Sequence, residues 1–266
     1  MNAIRLRSLR LGLAAVVASL AVGTAAHAAD GSLERLKKAG KLVVAVDATY
    51  PPMESEDNGG KVVGFDIDFA TEVAAKLGVK PEFVVVAWDG VIAGLQSKRY
   101  DVIISTMNIT DERKKQVDFV EYARMSQVYV AKKGVKVASE KDLEGKVIAV
   151  QADTTSYEFL DKQKKAGLKI KEIKAFRLAT DVFAAVKAGQ AEALVTDEPV
   201  GRYFAKQDAA TFEVTGRAIA PEPIGAATRK EDKELHDAIQ KAVDELRKDG
   251  TLKKVSEKYF GGELGA

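Results

Sequence analysis

Short apolar runs alternate with helical patterns along this chain, and the alternation occurs twice. Residues 42–46 read as a strand. Residues 66–77 read as a helix, because Ile67, Ala70, Val73, Ala74 and Leu77 fall on one face and Gly78 follows as a stop. Residues 83–86 predict another strand. Asp89 is placed to cap a short helix carrying Val91, Ile92 and Leu95, residues 101–105 read as a buried strand, and Thr110 opens a helix expected to run through Val117. The series then starts again. Residues 147–150 predict a strand, and Thr155-Ser156-Tyr157-Glu158 has the form of a capping box opening a helix. A strand over 170–176, a helix capped by Thr180 and stopped by Gly189, and a buried strand over 193–195 follow. Leu235, Ile239, Val243 and Leu246 mark a long C-terminal helix, and Leu252, Val255 and Tyr259 a short one.

Strands alternating with helices predict an α/β fold with mostly parallel sheets, and two such series predict two lobes. In open α/β sheets, ligands bind beyond the carboxyl ends of the strands. Five strand ends here carry polar or aromatic groups. They are Asp47, Thr49 and Tyr50; Trp88 and Asp89; Ser105, Thr106 and Asn108, followed by Arg113; Gln151, Asp153, Thr154 and Thr155; and Thr196 with Asp197.

That set matches the needs of an α-amino acid. Its carboxylate calls for a guanidinium fork and backbone N–H groups at a helix start. Its ammonium calls for a carboxylate and neutral acceptors, and its side chain for an apolar or aromatic wall. Each residue also has a structural alternative. Asp89, Thr110 and Thr155 are placed as helix caps, Trp88 as a core aromatic, and Arg113 as a surface residue in a first helical turn, where a positive charge opposes the helix dipole. The residues by themselves define a two-lobed α/β protein with a polar cleft.

Composition narrows the setting. Arg5, Arg7 and Arg10, the apolar run over 11–22 and Ala26-His27-Ala28 have the order of a secretory signal peptide ending at residue 28. The apolar run is shorter than the ~20 residues of a membrane span. The chain has no cysteine, which excludes disulfides and a lipid anchor on cysteine. Export without such an anchor points to the periplasm. The net charge is small and no basic stripe is interleaved with aromatics, so nucleic acid is not an expected partner. No metal-ligand cluster or phosphate loop is visible, and no cofactor is expected. The remaining histidine, His236, sits among charged residues of the long C-terminal helix.

The motifs resemble the polar amino-acid branch of the bacterial extracellular solute-binding proteins, family 3. Gly64-Phe65-Asp66-Ile67-Asp68-Phe69 fits the family signature. Tyr50-Pro51-Pro52, Trp88-Asp89-Gly90, Asp101-Val102-Ile103-Ile104-Ser105 and Ile109-Thr110-Asp111-Glu112-Arg113 agree as well, as do Val117-Asp118-Phe119, Asp197-Glu198, Asp249-Gly250-Thr251 and Lys258-Tyr259-Phe260. The resemblance implies two α/β lobes joined by two crossing strands: residues 29–126 and 222–266 in the first lobe, 127–221 in the second.

It also implies roles. Arg113 would clamp the ligand carboxylate with the Thr106 and Thr155 amides, beside Thr154. Asp197 would pair with the α-ammonium, helped by Ser105 and Asn108. Tyr50 and Trp88 would sandwich the side chain, and Asp47 would meet its polar or basic end. Three departures from the family pattern stand out: Asn108 in place of Thr or Ser, Asp153 before the Thr-Thr pair, and Met53 where Phe is common, a softer candidate for the pocket wall. The expected ligand is arginine, lysine, ornithine, histidine or glutamine, the expected partner an ABC transporter permease, and the expected state a monomer. The alternative on the same fold is a cyclohexadienyl dehydratase-like enzyme, for which Glu54, Glu198 or Asp153 would supply the acid. A sensor module would need a membrane-spanning segment, and none follows Phe260.

Overall fold

The computed structural model describes residues 30–264; the expected signal peptide lies outside them. Helix α1 (Ser32–Ala39) leads into β1 (Lys41–Val46), followed by a small antiparallel sheet of β2 (Thr49–Tyr50), β3 (Glu54–Glu56) and β4 (Val62–Val63). Helix α2 (Phe65–Leu77), β5 (Lys80–Val85), α3 (Val91–Gln96), β6 (Val102–Ile103) and the single turn α4 (Asp111–Lys114) complete the first series. The long strand β7 (Val117–Lys132) then carries the chain to β8 (Val147–Gln151), α5 (Thr155–Lys165), β9 (Glu172–Phe176), α6 (Ala179–Lys187), β10 (Ala193–Asp197) and α7 (Glu198–Gln207). A second long strand, β11 (Phe212–Arg229), returns it to α8 (Lys233–Lys248) and α9 (Thr251–Phe260).

Among the described residues, eight strands form one sheet in the order β5-β1-β6-β11-β7-β10-β8-β9. The outer strands on each side pair in parallel: β1 with β5 and β6, and β8 with β9 and β10. In the middle, β7 and β11 pair antiparallel with each other along most of their lengths, from Val117 opposite Arg229 to Lys132 opposite Phe212. The ladder slips between Thr215 and Ile219, between Ile219 and Glu222, and between Ile224 and Gly225. Two lobes thus share one continuous sheet through a pair of crossing strands.

The period-two pattern of the strands decides which helix covers which face. Leu42, Val44 and Val46 of β1 join the large core that contains α2 and α8, whereas Ala45 turns to Val91, Leu95 and Tyr100 around α3. In the other lobe Ile148 and Val150 pack with Leu160 and Ile170, and Ala149 faces Val182 and Phe183 of α6. With both faces covered, only the strand ends are left to carry a site.

Several local expectations are corrected. The helix at Thr110 ends at Lys114, because Val117 starts β7, whose alternating buried positions favour the sheet. Asp89 does not cap α3; Trp88–Gly90 forms a tight 3-10 turn ahead of it, and the Asp89 carboxylate pairs with Arg177 at 3.3 Å. The cap of α5 is Thr154, whose hydroxyl accepts the Tyr157 N–H at 3.2 Å, one residue earlier than expected. Helix α6 starts after Leu178 with no side-chain cap from Thr180. Met53 is fully buried in the large core and forms no part of the pocket wall.

Candidate functional site

The carboxyl ends of β1 and β6 in one lobe point toward those of β8 and β10 in the other. Between them lies a narrow cavity of about 20 Å³ lined by Asp47, Tyr50, Glu54, Trp88, Ser105, Thr106, Asn108, Gln151, Thr154, Thr155, Ser156 and Asp197. Nine of the ten residues to which the family resemblance gives a place at the ligand are on that wall. Arg113 is not on the wall; it is only 7% exposed despite its place in a single-turn helix, and it bonds the carbonyl of Asn108, which is on the wall.

Side chains of the two lobes meet across the cavity. The Tyr50 hydroxyl donates to Asp197 Oδ2 at 2.8 Å and lies 2.9 Å from Thr196 Oγ1. The Gln151 amide donates to Asp47 Oδ2 at 2.7 Å, while Asp47 Oδ1 accepts the Thr49 hydroxyl at 2.9 Å. The Arg113 guanidinium donates to the Asn108 carbonyl at 2.9 Å in its own lobe and to the Asp153 carbonyl at 3.0 Å in the other. Trp88 donates its indole N–H to the same Asp153 carbonyl at 2.9 Å, and its ring lies 5.3 Å from the Arg113 guanidinium carbon. Trp88 therefore stacks with a protein cation.

Asp153 serves through its backbone. It adopts φ 57°, which turns its carbonyl toward Trp88 and Arg113, and its side chain is exposed. It neither caps α5 nor supplies a carboxylate to the cavity. Thr106 also departs from expectation. Its φ of 47° directs its N–H to Asp66 Oδ2 at 2.6 Å and its hydroxyl to the same oxygen at 2.8 Å, so its amide is committed within its own lobe. Asp66 takes a further hydroxyl from Tyr122 at 2.8 Å. Gly64 makes this arrangement possible: at φ 139° a Cβ would collide with the Met53 carbonyl oxygen, the same oxygen that accepts the Asp66 N–H at 2.9 Å.

Burial sets the charge state of the carboxylates. Asp197 is pushed up to about 7, chiefly by burial, with Glu222 raising it further and Tyr50 and Arg113 pulling it down. Its Oδ1 is buried and accepts no hydrogen bond. Burial also raises Asp47, against the hydroxyl of Thr49 and the amide of Gln151. Glu54 is driven well above the ordinary carboxylate range by burial and by Asp66 beside it. It accepts the Ser105 hydroxyl on Oε1 at 2.7 Å, and its Oε2 finds no donor. Burial raises Asp66 as well, against the hydroxyls of Tyr122 and Thr106 and the Thr106 N–H.

Sequence reasoning left four members of the site without a role. Gln151 was visible at a strand end but carried no assignment. Ser156, Gln127 and Glu222 have no local signature, because their bonds join segments far apart in the chain. The other acids and the histidine stand elsewhere. Glu198 pairs with Arg202 at 2.6 Å on a separate groove of about 670 Å³ that also holds Arg124, Tyr203 and Tyr259. His236 lies beside Asp237 on α8. Among the described residues no group of histidines and acids is spaced to hold a metal, and no helix is long and apolar enough to cross a membrane.

Known proteins share this architecture. The L-cystine-binding protein TcyJ of Escherichia coli is 33% identical over 261 residues, covering 97% of this chain and 97% of its own. An ancestral arginine-binding protein bound to arginine superposes with a TM-score of 0.79 at 44% identity, over 84% of this chain and 99% of that one. The ancestral amino acid-binding protein AncCDT-1, a precursor of cyclohexadienyl dehydratase, gives a TM-score of 0.79 at 38% identity, over 86% and 99% of the two chains. A sequence model of the bacterial extracellular solute-binding proteins, family 3, matches residues 42–262, and this chain belongs to that family.

Proposed function

We propose that the chain is the periplasmic substrate-binding protein of an ABC importer and captures a basic L-amino acid by closure of its two lobes. The observation that carries this reading is the bare, buried Oδ1 of Asp197, a residue of the cavity wall, together with the buried Arg113 guanidinium bonded to Asn108 of the same wall. An uncompensated buried acceptor is costly, and an α-ammonium removes that cost. The zwitterion then lies with its ammonium on Asp197, assisted by Asn108 and Ser105. Its carboxylate takes the N–H groups of the Arg113 fork left free by Asn108 and Asp153, together with the Thr155 amide at the start of α5. Ligand contacts from both lobes favour the closed state.

Asp47 supports the basic side chain. It is a second buried carboxylate on the same wall, held by Gln151 and Thr49, and neither neighbour brings a positive charge. A guanidinium or ammonium supplies one. In this reading the lobes divide at 126/127 and 221/222, beside the slips in the ladder at Ile219 and Glu222. Residues 1–28 are the cleaved secretory leader, and the exported monomer hands its ligand to the permease.

A thermal-shift screen over the common amino acids tests the assignment. Arginine, lysine, ornithine or histidine should raise the melting midpoint, since a ligand at a thousandfold its Kd adds about 4 kcal/mol to the native state. A rise with aspartate or leucine alone would overturn it. The enzyme alternative needs an acid poised for proton transfer to a substrate, and the relatives compared above are amino-acid-binding proteins; turnover of prephenate would reverse that preference.

A further inference from the structure

Glu222 lies between Pro221 and Pro223 on β11, at the point where the ladder with β7 slips. Its Oε2 accepts the Asn108 amide at 2.7 Å and the Gln127 amide at 3.1 Å. Gln127 is only 1% exposed, and the same amide nitrogen reaches Thr155 Oγ1 at 2.7 Å. Its Oε1 accepts the Ser156 hydroxyl at 3.2 Å. One carboxylate thus joins the first lobe, both crossing strands and the first turn of α5 in the second lobe.

The groups it joins line the cavity: Asn108, Thr155 and Ser156 are all on the wall. Asn108 also holds Arg113 through its carbonyl. The charge of Glu222 fixes which way the two amides face, because an ionised carboxylate accepts and cannot donate. The Asn108 NH₂ turns to Glu222, which frees its Oδ1 as an acceptor. The Gln127 NH₂ turns to Glu222 and Thr155, which leaves its Oε1 for Ser156. A glutamine at 222 could still offer one carbonyl oxygen to both amides, as Oε2 does here, but without the negative charge that strengthens the two bonds.

We propose that Glu222 is a positioning residue for ligand capture, a clasp that sets the Asn108 amide and the first turn of α5 in register when the lobes are closed. It acts on position through Asn108 and Gln127, and its charge also bears on Asp197 nearby. The inference rests on the amino-acid-binding reading above. Losing the clasp weakens the closed state and leaves the open one untouched, so its signature is faster release with little change in capture rate.

The experiment compares the unmodified chain with Glu222→Gln. The probe is whichever of L-arginine, L-lysine, L-histidine and L-glutamine gives calorimetric heat with the unmodified chain. Stopped-flow kinetics should show dissociation from Glu222→Gln faster by about tenfold or more, with association within about twofold, as expected for loss of a charge-assisted bond. Gln127→Ala should do the same and serves if Glu222→Gln does not fold. The double variant should lose less than the two singles combined, because both break one network. Binding by the unmodified chain together with unchanged dissociation in the variants overturns the clasp alone. No heat with any of the four probes overturns the site reading, and the clasp with it.

Discussion

The Tyr50 hydroxyl, from the first lobe, donates to Asp197 Oδ2 in the second at 2.8 Å and leaves Oδ1 bare. Asp197 is held in place but short of counter-charge, and its pKa stands at about 7 against 3.8 for an ordinary aspartate. A bound ammonium favours the carboxylate, so the liganded pKa is lower than the unliganded one. Affinity should be full above pH 7 and should fall as pH drops through about 7. Calorimetry near pH 6 in two buffers of different ionisation heat should show close to one proton released per ligand bound, and almost none near pH 8.5.

The same group carries a stability consequence of opposite sign. In the unliganded chain the folded pKa of Asp197 exceeds the unfolded 3.8, so the fold binds the proton more tightly. The stability contributed by this group is fully present below about 3.8 and is lost as pH rises through about 7. Ligand should therefore raise the melting midpoint more at pH 8 than at pH 5. Scanning calorimetry with and without ligand measures the difference, and equal shifts would remove Asp197 from the ammonium site.

Arg113→Ala removes a guanidinium that reaches carbonyls of both lobes. The ligand carboxylate would then be buried without its partner, and binding should weaken by roughly 2–5 kcal/mol. Isothermal titration reads this directly. Near wild-type affinity would show that the fork does not meet the ligand.

Asp47→Asn keeps the shape of the wall and removes its charge. Arginine affinity should drop by about tenfold or more, whereas glutamine affinity should change by less than about threefold, since a neutral side chain does not draw on that carboxylate. An equal loss for both ligands would make Asp47 a structural residue held by Gln151.

Gly64→Ala forces a methyl group against the Met53 carbonyl. The strain should cost about 1–3 kcal/mol in urea unfolding, in the range of overpacked cores. Because Asp66 and Thr106 depend on that turn, ligand affinity should fall as well.

What the sequence disclosed follows the range of its interactions. The strand ends at Asp47, Ser105, Gln151 and Asp197 were legible because apolar runs stop there and polar groups begin. Arg113 stood out as a cation in a first helical turn, and its near-complete burial explains that placement. The destination of the Thr106 amide is not legible locally, because its partner, Asp66, is 40 residues away and a positive φ turns it there. The letter Asp at 153 advertises a carboxylate, whereas its carbonyl does the bonding, a distinction that depends on one backbone angle. Glu222 gave no signal at all: its amide partners are 114 and 95 residues distant, and the flanking prolines hide any period. Local pattern announces where a strand ends, and only the assembled sheet shows what it ends beside.

In the ladder between the crossing strands, Gln127 lies opposite Ile219. The chain leaves the first lobe and comes back to it at neighbouring points, so everything between is a single uninterrupted insert with adjacent ends. Such a cassette can be exchanged at two nearby seams. Grafting the corresponding stretch of a relative would replace Gln151, Thr155 and Asp197 together while Asp47, Tyr50 and Arg113 stayed, which recombines half of a binding specificity in one genetic step.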